Sequence, residues 1–134
     1  MTQGRRRVLA SRTGQDFASN DYLGLADSDL LRDALAVGIA KGIPAGSGGS
    51  RLLRGNHVEH EMLEAHAARH YGSEAALYLS TGFAANVALF ATLPQRSDLV
   101  IHDELIHASA HDGMKLGRAE RTAARHNDPQ AFED

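Results

Sequence analysis

A chain of 134 residues is long enough for one small domain and its core, not for two. With 43% hydrophobic and 23% charged residues it has an ordinary globular composition, and a net charge of -3 gives no electrostatic reason to expect nucleic acid as a partner. The lack of cysteine removes both a disulfide framework and a thiolate metal site, no apolar run approaches the roughly 20 residues that span a bilayer, and the N-terminus lacks a signal peptide's apolar core, so a cytoplasmic protein without membrane attachment is the default expectation.

Met1 to Thr13 is polar and basic, and Arg5, Arg6 and Arg7 either meet a carboxylate or phosphate or form a solvated charge run. Phe17 to Leu25 has too few periodic apolar positions for a helix, while Asn20 and Asp21 suit turns. Ser28 caps a predicted helix whose Leu31, Leu35 and Ile39 recur at i, i+4 and i+8, and Gly42 stands where a left-handed terminating residue belongs. Gly46, Gly48 and Gly49 crowd the stretch from Ile43 to Arg51, which reads as a flexible linker or as a loop whose backbone takes special angles beside a ligand or another chain. Only about forty residues precede it, too few for a complete domain, so a structured loop is the better reading.

Asn56 followed by Glu59 resembles a capping box, opening a helix to about Tyr71 with Val58, Met62 and Ala65 on one face and Gly72 as its stop. The helix carries His57, His60, His66 and His70, but the run from His60 to Glu64 lacks the second histidine of a zinc-protease helix, so it is read as a solvated surface and no metal is assigned. Ala76 to Leu79 has strand character and breaks at Ser80-Thr81-Gly82 into a helical pattern with Phe83, Val87 and Phe90 on one face. Free N–H groups at a helix N-terminus carry partial positive charge, and glycine lets an anion approach the main chain, so Thr81-Gly82-Phe83 is a candidate phosphate cradle. The same strand, turn and helix also occur in α/β proteins that bind no phosphate.

Pro94 ends that helix, and Asp98 to His102 reads as a second buried strand. The segment from Asp103 to Ser109 then leaves the strand at the end where α/β folds gather ligands. His107 in this segment is open to three roles: an acid or base, a stacking partner for a flat ligand, or a surface helix residue. A helix to about Met114, a third strand near Ala119 to Arg125, and a helix start with Asp128 as cap and Pro129 at the first position complete the pattern. This alternation, stopping as another helix begins, is expected of the front part of a larger α/β domain with a parallel sheet.

Five segments together resemble the α-oxoamine synthases, pyridoxal-phosphate enzymes of the aspartate-aminotransferase fold. They are Ser19-Asn20-Asp21-Tyr22-Leu23-Gly24-Leu25; Gly46-Ser47-Gly48-Gly49-Ser50-Arg51; Gly55-Asn56 with His60 and Leu63-Glu64; Ser80 to Asn86; and Asp103 to Ser109. The resemblance covers nearly the whole chain but only the first third or so of a family member. It implies the N-terminal part of the large domain of a fold type I, three-layer α/β architecture, truncated, with 1–25 as an N-terminal segment and 26–134 as the incomplete first part of the cofactor-binding domain. The forms Ser-Asn-Asp-Tyr-Leu-Gly and Gly-Ser-Gly-Gly-Ser-Arg resemble the branch that condenses L-alanine with a pimeloyl thioester, on coenzyme A or a carrier protein, in biotin synthesis. Pyridoxal 5'-phosphate is the implied cofactor and a homodimer the implied assembly.

Carried over by position, the backbone at Gly82 and Phe83 would hold the cofactor phosphate, and His107 would stack on the pyridine ring and touch the substrate. Asn20 and Ser50 match positions near the substrate, the glycine-rich loop reaching toward the neighbouring subunit's site. Arg5 matches an N-terminal arginine that binds the acyl carboxylate, a place Arg6 or Arg7 serves equally. The departure lies in what is missing: the family's Schiff-base lysine, the aspartate that pairs with the pyridine nitrogen and its accompanying histidine are expected beyond Asp134, and Lys41 and Lys115 stand in no such context. The chain as given is therefore expected not to turn over substrate. Two other readings stand beside this one, a glycine- or serine-using member of the family and a noncatalytic fragment that pairs with a full-length subunit.

Overall fold

The computed structural model describes residues 9, 11 and 13–133, which separate into two compact units meeting at Asn56 and His57. Arg5, with Arg6 and Arg7, lies outside the described residues. In the first unit, Asp21 organises the turn after Asn20, its carboxylate accepting the N–H groups of Leu25 at 2.8 Å and Ala26 at 3.0 Å. Helix α1 (Asp29–Ala40) starts on Ser28, whose hydroxyl accepts the Leu31 N–H, and stops at Gly42, which takes φ +76°. The glycine-rich loop follows. Its Gly46, Gly48 and Gly49 do not adopt left-handed angles; the close approach falls instead at Gly55, where a Cβ would land on the Gly49 carbonyl and the Ser47 hydroxyl. Arg51–Gly55 forms a π turn, closed by Gly55 N–H on the Ser50 carbonyl at 2.9 Å.

The second unit opens with α2 (Val58–Tyr71). Its cap is His57 rather than Asn56: the His57 ring accepts the Glu59 N–H, the His60 ring accepts the His57 N–H, and Asn56 instead takes the Arg51 Nε at 2.9 Å. The cap moves one residue because an imidazole nitrogen can replace the usual hydroxyl or carboxamide oxygen. Gly72 terminates α2 at φ +64°. The expected strand from Ala76 to Leu79 has no regular secondary structure and joins no ladder among the described residues. A strand is defined by a partner, and here the Tyr78 N–H goes to the Glu64 carboxylate at 2.8 Å instead.

Helix α3 (Gly82–Thr92) is followed by strand β1 (Leu99–Asp103), helix α4 (Ala108–Leu116) and strand β2 (Glu120–Ala124), which form a β-α-β crossover with β1 and β2 parallel and Leu99 opposite Glu120. The expected closing helix is one turn of 3-10 helix (Pro129–Phe132), and Asp128 meets Arg125 at 3.2 Å instead of capping it. What is most buried in this unit lies where α4 meets α3 and the strands: Ser109, Ala110, Gly113, Met114 and Ala124.

The contact between α3 and α4 rests on absent side chains. A Cβ at Gly113 would stand 2.9 Å from the Asn86 carbonyl oxygen and 3.0 Å from the Val87 Cα, and one at Gly117 would stand 2.7 Å from the Phe90 carbonyl oxygen. Backbone atoms in a helix cannot step aside. Gly113→Ala gains up to about 1 kcal/mol of helix propensity, but overpacking against main chain costs about 1–3 kcal/mol. Urea unfolding of the Gly113→Ala variant is expected to show a net loss of up to about 2 kcal/mol.

Candidate active site

The N-terminus of α3 is laid out as an anion cradle. Thr81 is extended, its hydroxyl accepts the Ala84 N–H at 3.0 Å and its carbonyl accepts the Ala85 N–H at 3.0 Å. Among the described residues nothing accepts from the N–H groups of Gly82 and Phe83. Gly82 and Phe83 are both exposed, and a Cβ built on Gly82 meets no atom within 4 Å. Gly82 stands at the first position of an 11-residue helix, where the aligned peptide dipoles favour negative charge. Two exposed donors and the helix dipole suit a phosphate oxygen.

His107 reaches this region through α4. It caps that helix, with the Ser109 N–H 3.2 Å from its Nδ1 and the Ser109 Oγ 2.7 Å from the same nitrogen. Ser109 is fully buried and its hydroxyl accepts from the Asn86 carboxamide at 2.8 Å. The ring is thereby tied to α3 four residues beyond Gly82, roughly 6 Å along the helix axis. His107 itself remains exposed, leaving a ring face available to a flat ligand.

The carboxyl ends of the parallel strands carry a second cluster. Asp103, the last residue of β1, accepts N–H groups from Leu105 at 2.7 Å and Asn127 at 3.1 Å, and both its oxygens lie 3.0 Å from the His126 Nδ1. Asn127 holds a left-handed φ of 53° to do so. The backbone donor of Leu105 first, then the His126 ring, holds the Asp103 carboxyl below its ordinary value, against a smaller opposing effect of desolvation. Next to it, the buried His102 ring donates from Nδ1 to the Asp103 carbonyl at 2.9 Å and packs edge-to-face on His111.

Of the residues singled out from the sequence, Gly82, Phe83 and His107 stand in the second unit and are joined by the Asn86–Ser109 link. Asn20 is exposed in the first unit, where Ser50 caps the π turn by accepting the Leu52 N–H at 3.2 Å. The helix histidines are engaged locally, His66 stacked on His70 and His60 on Tyr78, and no group of three metal-ligating side chains gathers among the described residues. Among the described residues no helix is long and apolar enough to cross a membrane. Sequence reasoning passed over Asn86 and Ser109. The signal was a carboxamide set inside the apolar run from Phe83 to Phe90.

Asp103 yields a pH test. A carboxyl whose folded pKa is depressed adds stability above its unfolded pKa, about 3.9, and that contribution fades as pH falls through the lower folded value. Asp103→Asn is expected to lower the melting temperature near pH 6, with the gap from the parent closing as pH drops below about 4.

Comparison with known proteins follows the same lines. No family model matches the chain. It is 44% identical over 127 residues to a putative 8-amino-7-oxononanoate synthase 2 of Bacillus velezensis, covering 95% of this chain and 31% of that protein. It is 47% identical over 126 residues to the 8-amino-7-oxononanoate synthase of Chromobacterium violaceum, covering 94% and 33%. Among solved structures, the 8-amino-7-oxononanoate synthase of Francisella tularensis superposes with a TM-score of 0.71 at 30% identity over 88% of this chain and 32% of that one. Sphingomonas wittichii serine palmitoyltransferase superposes at 0.73 with 34% identity over 80% and 27%. The chain thus spans about a third of the length of the relatives it matches. In sequence and in backbone it is similar, across nearly all of its own length, to one third of an 8-amino-7-oxononanoate synthase, an α-oxoamine synthase of the pyridoxal-phosphate-dependent, fold type I enzymes.

Proposed function

We propose that this chain supplies the phosphate-gripping and ring-stacking part of a pyridoxal-phosphate site in an 8-amino-7-oxononanoate synthase, which joins L-alanine to a pimeloyl thioester with loss of carbon dioxide in the cytoplasm. The observation that carries the reading is the α3 N-terminus, with the N–H groups of the exposed Gly82 and Phe83 unengaged among the described residues and His107 tethered one turn away. The chemistry supplied by bound pyridoxal phosphate is an electron sink for the carbanion at the amino acid's α-carbon. Gly82 and Phe83 hold the phosphate, and His107 lays its ring against the pyridine and limits its tilt, keeping the breaking bond in line with the π system. By family resemblance alone, Asn20 and Ser50 are assigned to the substrate, and Arg5, outside the described residues, to the acyl carboxylate. The alanine-using branch is favoured by the curated relatives at 44% and 47% identity, both named 8-amino-7-oxononanoate synthases.

Neither lysine of this chain fits the role of the amine that bonds the cofactor's aldehyde. Lys115 lies on α4 in a surface pair with Asp112 at 3.1 Å, and Lys41 is the C-cap of α1. We assign that amine to sequence outside this chain, so the chain alone binds without turning over. Borohydride reduction in the presence of pyridoxal phosphate is expected to leave no single lysine labelled stoichiometrically; one such lysine overturns this assignment. Pyridoxine 5'-phosphate, which has no aldehyde to react with surface amines, isolates the phosphate grip. Gly82→Asp is expected to weaken its binding about tenfold or more, since a charged hydrogen bond contributes about 1.5–3 kcal/mol and the new carboxylate repels the phosphate. Equal affinity in parent and variant rules the cradle out.

A second reading, pairing with another copy or a longer subunit through the loop from Ile43 to Arg51, is favoured by Leu52 and Leu53, which follow that loop at 95% and 83% exposure. A homodimer of the parent enzyme would use the same surface. Sedimentation velocity across a concentration series is expected to show a dimer that Leu52→Glu dissociates; a monomer throughout sinks the pairing.

A further inference from the structure

We infer that Asn86 and Ser109 are positioning residues that fix the tautomer of His107, so that the exposed side of its ring carries Nε2–H and not a bare nitrogen. The backbone N–H of Ser109 can only donate, and it points at the His107 Nδ1 from 3.2 Å, so that nitrogen is the acceptor and holds no proton of its own. The Ser109 Oγ lies 2.7 Å from the same nitrogen. A hydroxyl has one proton to give. Because the Asn86 carboxamide donates to the Ser109 oxygen at 2.8 Å, the hydroxyl proton is left for Nδ1.

Two donors therefore converge on one nitrogen, and the proton of the neutral ring sits at Nε2. Ser109 is 0% exposed, so water does not compete for its single proton. The direction of the whole chain, carboxamide to hydroxyl to imidazole, is set at its far end by a side chain on α3. The consequence rests on the reading that His107 faces the cofactor: there it presents a hydrogen-bond donor to an oxygen of cofactor or substrate and holds a proton at Nε2 instead of removing one.

Long-range proton–nitrogen correlation spectra of the full, nitrogen-15-labelled chain report the tautomer directly, with His107→Gln identifying the His107 signals. The parent is expected to show Nε2–H. Asn86→Asp preserves size but reverses the chain, because a carboxylate takes the Ser109 proton and leaves the hydroxyl oxygen facing Nδ1. It is expected to move the ratio of Nε2–H to Nδ1–H about tenfold toward Nδ1–H. Ser109→Ala, which loses the hydroxyl but keeps the backbone donor, is expected to show a smaller excess of Nε2–H than the parent, and Ser109→Thr, which keeps the hydroxyl, the parent spectrum. A parent that carries Nδ1–H, or an Asn86→Asp ring unchanged from the parent, overturns the proposal. Where circular dichroism shows Asn86→Asp unfolded, the alanine and threonine variants at Ser109 decide, and identical spectra from both overturn it. No cofactor is present in these samples, so failure of the pyridoxine 5'-phosphate titration leaves this result standing.

Discussion

One buried hydroxyl joins the two halves of the candidate site. Ser109 has no exposure, and its side chain meets Asn86 on α3 and His107 at the head of α4. A buried hydroxyl without partners would cost a few kcal/mol, so both neighbours must stay in place for the helix pair to keep its geometry. That geometry in turn exists because Gly113 and Gly117 let α4 lie directly on the main chain of α3. The phosphate-gripping turn and the stacking ring thus come from two elements held together by close backbone packing and one short polar chain. Neither side chain that forms this chain with the histidine is itself at the surface of contact with ligand in the proposed reading.

Much of this was readable in the amino acids. Ser28, Gly42 and Gly72 mark helix ends through local rules, and the structure places all three in those roles. The strand from Leu99 and the strand from Glu120 were equally visible, because short runs bounded by polar residues and turns need no distant information. Gly82 at the first position of α3 likewise followed from a Ser-Thr-Gly turn before an apolar period. What escaped was set by contacts far apart in the chain or by unusual chemistry. An imidazole standing in for a hydroxyl moved the α2 cap from Asn56 to His57, and the Tyr78 N–H is taken by Glu64, fourteen residues away. The Asn86 to Ser109 contact spans 23 residues, and no periodicity announces it.

The exposure of apolar side chains fits a chain that matches only a third of its relatives' length. Leu31, Leu35 and Ile39 form the apolar stripe of α1, yet all three are exposed, as are Leu77 and Phe83. An amphipathic helix draws most of its stability from what its apolar face meets, more than from propensity. These faces have the character of surfaces meant to be covered, which accords with the proposal that the chain forms part of a larger site. The buried apolar residues among those described are Ala110, Met114 and Ala124, all on or beside α4.

The polar chain from Asn86 through Ser109 to His107 has a bearing on inheritance as well as on chemistry. Each member sets the direction in which its neighbour can donate, so an exchange at one position changes what is tolerated at the other two. Losses at Asn86 and Ser109 will not add; the second should be nearly silent once the first has broken the relay. Descent at these three sites is therefore expected to proceed by joint replacement, making the trio a single heritable character written in three separate codons.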